Sequence, residues 1–405
     1  MIAAIAWRNV WRNTRRSGVL IAAIAFGIWA GVFEMAFMNG MAAQQVEGAI
    51  RTRLSHLQIH ARGFRAHKDV TSFIPDGDSV LTAVRAMPRV ESASERAVLS
   101  AMASSATTSR GVLVFGIDPA AERTVTDVSA HIVEGGYFPN GTHNAAVVSR
   151  RLMDKLRLRL GQKMVITGQG GDGAISAGAF RIVGIFETAN LTFDETSVFV
   201  QRQDLARDFA LGDDVHEIAV RLRDIGDLHA AAAGLRRAYP GLDVATWRDL
   251  SPEVALTESS TQQTNYIFFV VILVSLVFGV TNTMLMGVLE RTRELGVVIA
   301  LGMRPGPVFA MVLIEAVLLS LVGGVCGIGL ASASVALAGR TGIDLSAVSS
   351  GLAAFGMETV IRPVMPPLDY VWVVLMVIGT AIVASLYPGW KAVRLDPVRA
   401  IRSYQ

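Results

Sequence analysis

Four stretches of the chain are almost free of polar positions, and between the first two the pattern breaks into short alternating runs. The apolar stretches lie near Gly18–Met38, Tyr266–Val288, Pro307–Ala338 and Tyr370–Tyr387. Each is long enough to cross a bilayer as a helix, which takes roughly 17–25 residues. The first exceeds the about 7–15 apolar residues of a signal peptide, so an uncleaved spanning helix is expected. Residues 42–265 read differently. "HLQIHA", "GVLVFGI", "AAVVS", "KMVIT", "FRIVGIF", "TSVFV", "HEIAVRL" and "LDVATW" are strand-like. "SVLTAVRAM", "RRLMDKLRLRL", "RQDLARDFA" and "LHAAAAGLRRAY" between them have helical periodicity. Strands and helices mixed without strict alternation predict an α+β domain, in two lobes with one inserted in the other.

The ends of that domain run toward the apolar stretches. Ser251 is placed to cap a helix and Pro252 to open it. No breaker follows, so one helix is expected from Pro252 through the second apolar run. About 14 of its residues, roughly 20 Å, would extend beyond the bilayer. The first run continues in the same way through "NGMAAQQVEGAIRTRL". Such stalks favour a machine that transmits motion.

Composition agrees with a membrane protein: 52% of the 405 residues are hydrophobic and 18% charged, against about 25% charged in soluble domains. A single cysteine, Cys326, rules out an intrachain disulfide. The net charge is only +3, but its distribution sets an orientation. Arg8, Arg12, Arg15 and Arg16 precede the first run; Arg291, Arg293 and Arg304 separate the second from the third; Lys391, Arg394, Arg399 and Arg402 follow the fourth. Basic residues collect on the cytoplasmic side. Both termini are therefore expected inside and the α+β domain outside. The expected division is 1–17, a cytoplasmic interfacial helix; 18–41, the first span and start of a stalk; 42–250, the outer domain; 251–289, the second stalk and span; and 290–306, a cytoplasmic helix and loop. The third span follows at 307–338, a short outer loop at 339–369, the fourth span at 370–387 and a cytoplasmic tail at 388–405. In "IAAIAWRNVWRNTRR", Trp7 and Trp11 lie four apart with Val10 on their side, and Arg8 and Arg12 take another face. That pattern predicts a helix lying in the inner leaflet, with these four residues as anchors.

Candidate chemistry is sparse. His56 and His60 share a strand face with His67 nearby, but no cysteine or acid has the spacing of further metal ligands, so no metal is expected. The glycine-rich Gly168–Gly178 lacks the ending of a phosphate-binding loop and reads as a flexible hairpin. No Walker A motif, nucleophile elbow, zinc-protease helix or paired-carboxylate pattern is present, so no catalytic residue is assigned. Charges within apolar runs usually face a bundle interior. Glu34 lies near the outer end of the first. Glu315 lies about two turns inside the third, either paired with an arginine of the inner leaflet or active in a conformational change. Gly323 and Gly327 have GxxxG spacing, for packing within the chain or along a dimer seam. Asn282 is expected to bond to a neighbouring helix. The strip "VLERTRELGVVIALGMRPGPV" interrupts the apolar pattern with Glu290, Arg291, Arg293, Glu294 and Arg304. Glu290, Arg293 and Glu294 have the spacing to pair along one helix. The following "LGVVIALGM" is too apolar for an exposed loop and too short to span, so a protein partner is expected to cover it.

These residues resemble a known family. "NTMLMGVLERTRELGVVIALGMRPGPVFAMVLIEAVLLSLVGGVCGIGLA" resembles the core of the FtsX-type permease domain; "YPGWKAVRLDPVRAIRS" and "AWRNVWRNTRRS" are similar to its terminal signatures. "VFGIDPAAE", "AAVVSRRLMDKLRLRLGQKMVI" and "FRIVGIFET" resemble the periplasmic core of the MacB and lipoprotein-releasing (LolC/LolE) branches. The resemblance implies an α-helical membrane protein of four transmembrane helices with an inserted α+β periplasmic domain of MacB-like core type. It implies the permease subunit of a type VII ABC transporter, without an ATPase motif of its own. ATP and Mg would be bound by a partner cytoplasmic ATPase dimer and no cofactor by this chain. Because residue 1 opens directly on the interfacial helix, that ATPase is expected as a separate chain. Glu290, Arg291, Arg293, Glu294, Leu295, Gly296, Leu301 and Gly302 would couple to it. Further implied partners are a second permease subunit, identical or not, a periplasmic carrier or adaptor, and membrane lipid; nucleic acid is not among them. The implied work is mechanotransmission: ATP-driven motion reaches the periplasmic domain and releases lipoproteins or a similar amphipathic cargo from the membrane. MacB-like efflux of a drug or peptide, and FtsX-like regulation of a periplasmic partner, are the alternatives. In the lipoprotein-releasing branch a periplasmic hairpin recruits the carrier. Its positional equivalent here has a Gly- and Ala-rich tip without the Pro-containing pattern of that hook.

Overall fold

The computed structural model describes residues 6–8, 11–301, 303–348, 351–352 and 359–394. Four of its helices are long and apolar enough to cross a membrane. They are α1 (Thr14–Ala49), α2 (Pro252–Glu290), α4 (Pro305–Thr341) and α5 (Pro367–Val393), with the short α3 (Thr292–Ala300) between α2 and α4. Each outruns its apolar stretch because no breaker stops it. Pro388 does not stop α5 either, although the fourth apolar stretch ends just before it. The chain divides into two compact units. One holds residues 1–42, 259–345 and 360–405; the other holds 43–258 and 346–359. The chain passes between them within α1 and α2, and again at 345–346 and 359–360.

In the first unit the helices pack through small residues and interdigitating apolar ones. A Cβ added at Gly323 would come 2.8 Å from Ile24, and one at Gly327 2.7 Å from the Ala25 carbonyl. The GxxxG pair therefore seats α4 against α1 of the same chain. Trp29 donates to Ser334 at 2.8 Å along the same seam. Asn265 of α2 donates to Asn39 of α1 at 2.8 Å. Glu34 is half-buried on α1, and its Oε2 has no hydrogen-bond partner among the described residues.

The second unit is built on one ten-stranded sheet. Its strands are β1 (Leu57–Ala61), β2 (Val90–Ser104), β3 (Ser109–Ile117), β4 (Ile132–Gly135), β5 (Ala145–Ser149), β6 (Lys163–Gln169), β7 (Ile175–Phe186), β8 (Ser197–Gln201), β9 (Glu217–Leu222) and β10 (Leu242–Thr246). β10, β1, β9 and β2 lie side by side in that order, all antiparallel. Helices Gly77–Arg85 and Leu228–Ala238 form the crossovers, so this lobe is a split βαβ arrangement with its own core around Leu57, Ile59, Val84, Ile218, Leu235 and Trp247. The second lobe is inserted between β2 and β9. Its pairings run β2–β3–β8–β5–β7–β6 and return to β2, a closed ring of six strands. Alternate residues such as Val114, Val148, Met164, Phe180, Ile182 and Val200 share one core inside it.

β2 belongs to both lobes, yet the hydrophobic pattern did not mark it as a strand. "VESASERAVLSAMAS" is rich in Ala, Ser and Glu, residues depleted or neutral in strands. Seven consecutive residues, Ala93–Leu99, are buried, so no alternation shows. The six-stranded closure and the double pairing of β2 leave few polar backbone groups of this strand for water.

At the centre of the split lobe, Arg96 is 1% exposed between Glu122 and Glu217. Its Nη2 lies 2.7 Å from Glu122 Oε1, and Nη1 reaches both Glu217 and the Arg53 carbonyl, the latter at 2.9 Å. Burial by itself would lower the guanidinium pKa; the two carboxylates reverse this and keep it charged. Arg53 lies in the π-helical turn Ile50–Leu54 that continues α1, so Arg96 holds the end of that helix to β2. The strand histidines serve the same core. His56 accepts from Leu222 N at 2.9 Å, and His60 bridges Gln58 and the His216 carbonyl. Burial lowers the pKa of His56, His60 and His216.

The glycine-rich hairpin is anchored rather than free. Gly171 N donates to the Phe209 carbonyl at 2.9 Å, and a Cβ at Gly171 would stand 2.6 Å from the Ala210 carbonyl. Its glycines permit a close backbone approach. Ile175 at its tip is a large apolar side chain left 84% exposed, beside the exposed Gln169, Asp172 and Ala174.

One buried carboxyl in this unit predicts a pH dependence. Asp194 is fully buried, and both its oxygens accept bonds from Thr188. Burial outweighs those bonds and pushes its pKa up to about 6. A raised carboxyl binds its proton in the folded state first, so its favourable contribution is present at low pH and fades as pH rises through about 6. Wild type is therefore expected to gain roughly 1 kcal/mol between pH 7 and pH 5 relative to Asp194→Asn. Urea unfolding of the full chain in detergent at the two pH values measures it. Equal pH slopes for the two proteins would refute the assignment.

Candidate coupling site

The charged strip folds into the end of α2, a one-residue break at Arg291, and α3. Its acids do not pair along their own helix. Glu290 meets Arg16 of α1 at 3.0 Å, and Glu294 meets Arg12 at 2.8 Å. The two arginines and the two glutamates are each four residues apart, and they form two rungs, one at the end of α2 and one on α3. Arg12 is thus engaged with Glu294. Trp7 and Trp11, the other anchor candidates, are about half exposed and stack edge to face at 5.7 Å. Arg8 is exposed, and Val10 lies outside the described residues.

The three ion pairs of the strip differ in weight. Arg12–Glu294 is exposed on both sides and contributes about 0–1 kcal/mol. Arg16–Glu290 is half-sheltered. Arg16 occupies the space beside Gly287, where any side chain would collide with its guanidinium. Arg291–Glu315, at 3.2 Å, is buried, with side chains 14% and 7% exposed. Both carboxylate oxygens of Glu315 accept from Arg291 Nη1. This pair ties the break between α2 and α3 to the third long helix. A cavity of about 40 Å³, room for a water molecule, lies beside it, walled by Arg16, Gly287, Arg291 and Glu315.

The remaining strip residues divide by face. Leu295 and Gly296 are buried against the helix bundle, so a partner cannot reach them; they position α3 instead. Arg293, Val297, Leu301 and Met303 are exposed, Leu301 to 83%. Gly302 lies outside the described residues. Among the described residues Asn282 makes no bond between helices: it is exposed, and the adjacent Thr281 makes one, donating to the Ala384 carbonyl at 2.9 Å. One residue is a 100° turn of the helix, which moves the polar contact from one neighbour to another. Arg16, Gly287 and Thr281 were not singled out in the sequence. The matched spacing of Arg12 and Arg16 with Glu290 and Glu294 was the available signal for the first.

The fold joins four helices long and apolar enough to cross a membrane to a large α+β domain inserted after the first of them. The model for the MacB-like periplasmic core domain matches residues 17–238, and that for the FtsX-like permease C-terminal domain matches residues 266–397. The chain belongs to the family of FtsX-like permeases with a MacB-like periplasmic core. It is 25% identical over 421 aligned positions to the pyoverdine export ATP-binding/permease protein PvdT of Pseudomonas syringae pv. tomato, covering 98% of this chain and 58% of that protein. It is 32% identical over 189 positions to the macrolide export ATP-binding/permease protein MacB of Syntrophobacter fumaroxidans, covering 45% of this chain and 23% of that protein. The chain thus spans little more than half the length of PvdT. Among solved structures, the periplasmic region of MacB from Actinobacillus actinomycetemcomitans aligns with 52% of this chain at 11% identity and a TM-score of 0.35.

Proposed function

We propose that this chain is the transmembrane component of an ABC transporter, and that an ATPase docks from the cytoplasm on the strip from Glu290 to Met303. The carrying observation is the division of that strip. One face is fastened by three ion pairs to Arg12, just before α1, to Arg16 of α1 and to Glu315 of α4, and the other leaves Val297, Leu301, Met303 and Arg293 exposed. A rigidly held helix with an uncovered apolar face suits the reception of force from a partner. Movement there passes along α1 and α2, the two helices in which the chain runs from one unit to the other. ATP and Mg belong to the ATPase. A second permease subunit completes the transporter, and both termini and the strip face the cytoplasm of a bacterial inner membrane. The cargo is an amphipathic molecule handled outside. The export roles in the names of PvdT and MacB support extrusion of a small molecule more than lipoprotein release.

Purification from native membranes in mild detergent is expected to bring an ABC ATPase with the chain. Glu290→Lys with Glu294→Lys places four cations together and is expected to lower ATPase recovery or permease-dependent ATP hydrolysis about tenfold, an effect of 1–3 kcal/mol. Adding Arg12→Glu and Arg16→Glu restores opposite charges and should recover most of the loss. A wild-type chain that never recovers an ATPase would sink the reading.

A further inference from the structure

The fourth long helix contains a defect that the second repairs. Pro388 lies inside α5 and has no N–H. The Ala384 carbonyl, four residues back, therefore lacks its helical donor. Ala384 is 1% exposed, Ser385 is fully buried, and Pro388 and Gly389 are buried, so bulk water does not reach the gap. Within an apolar span an unmet carbonyl is costly, and a neighbouring helix usually supplies the missing partner. Here Thr281 Oγ1 of α2 supplies it, at 2.9 Å. The nearby hydroxyls do something else: Ser275, Thr283 and Thr380 each bond back onto the carbonyl four residues earlier in their own helix. A threonine in a helix has both options, divided by one χ1 rotation. Thr281 has taken the one that crosses.

Its position gives this bond a consequence. Thr281 lies nine residues before Glu290 on α2, about 13 Å along the axis from the first ion pair of the coupling strip. Past Pro388, the last turn of α5 lacks one rung of its ladder, so it bends more readily than the rest of the helix. We propose that Thr281 is a positioning residue that latches the inner end of the fourth helix, at Pro388, to the second. Displacement of the strip then moves α2 and α5 together while the bond holds, and α2 alone once Thr281 rotates back to its own helix. The role in coupling rests on the transporter reading above; the bond itself does not.

Four variants test it: Thr281→Val, Thr281→Ser, Pro388→Ala, and Thr281→Val with Pro388→Ala. Each is measured for melting temperature in detergent and, with the co-purified ATPase in liposomes, for permease-dependent ATP hydrolysis at equal ATPase occupancy. Thr281→Val is expected to lower the melting temperature and to cut coupled hydrolysis roughly tenfold. Thr281→Ser keeps the hydroxyl and should restore both. In the Pro388→Ala background the alanine N–H returns to the Ala384 carbonyl, so Thr281→Val should no longer lower the melting temperature. Equal melting losses with and without Pro388→Ala would overturn the latch. So would failure of serine to rescue, or unchanged hydrolysis in Thr281→Val. Absence of any ATPase from the wild-type preparation would instead remove the transporter reading, and the melting pattern would still decide the bond.

Discussion

Arg96→Met is expected to remove roughly 3–5 kcal/mol from the stability of the α+β domain, the cost of leaving buried charges without their partner. Glu122 is fully buried and Glu217 nearly so, and Arg96 is the guanidinium that both carboxylates meet. The substitution strands two anions and also takes a donor from the Arg53 carbonyl at the end of the first helix. Losses of that size are a large share of a domain's net stability of about 5–15 kcal/mol. The triple variant Arg96→Met, Glu122→Leu, Glu217→Leu separates charge from packing. Apolar replacement of a whole buried ion cluster is often neutral or stabilising, so the triple is expected to recover most of the loss. Urea midpoints of the three proteins measure this. A single variant within about 1 kcal/mol of wild type would mean that the triad contributes little beyond its packing. The triple variant should still lack the clamp on Arg53, so activity is expected to recover less than stability.

Arg291→Met is the corresponding change at the strip. It leaves Glu315 buried, 5% exposed, beside an apolar side chain, again at a cost of roughly 3–5 kcal/mol. ATP hydrolysis coupled to the permease should fall tenfold or more, within the usual 1–3 kcal/mol of coupling between sites. The double variant Arg291→Met, Glu315→Leu removes both charges and is expected to regain stability. It should not regain coupling, because the bond that ties the break between α2 and α3 to the third long helix is gone. Full recovery of coupling in the double variant would show that the pair serves packing alone. The exposed Arg12–Glu294 pair provides the contrast: Arg12→Ala should change stability by no more than about 1 kcal/mol.

Much of the site was visible along the chain because its signals are local. The interruption of apolar pattern by Glu290, Arg291, Arg293 and Glu294 marked the strip, and an arginine partner was one of two readings of Glu315 in its apolar run. Which arginine it would be was not local. Arg291 is 24 residues away, and only the turn between α2 and α4 brings the two together. Leu295 and Gly296 seemed part of the docking surface because a short apolar run does not announce which face turns inward. Asn282 drew notice as an amide within the second apolar run, but rotation about the axis aims Thr281, not Asn282, at the fourth helix. Thr281 matters because of Pro388, and the two are joined by no periodicity.

The same division holds for the whole molecule. Hydrophobic period, run length and the placement of arginines are properties of neighbouring residues. They were enough for four long helices, an inserted α+β domain and one charged strip, since each follows from the burial needs of a short segment. Strand order, the ring closed through β2, and the triad of Arg96 with Glu122 and Glu217, 26 and 121 residues away, were not. β2 carries no alternation because it is buried on both faces, and it is buried because other strands and helices cover it. Such features arise when distant segments compete to cover one another's apolar faces and to pair one another's buried charges. Their energies depend on which segments meet, and a residue does not carry that information until the chain has folded.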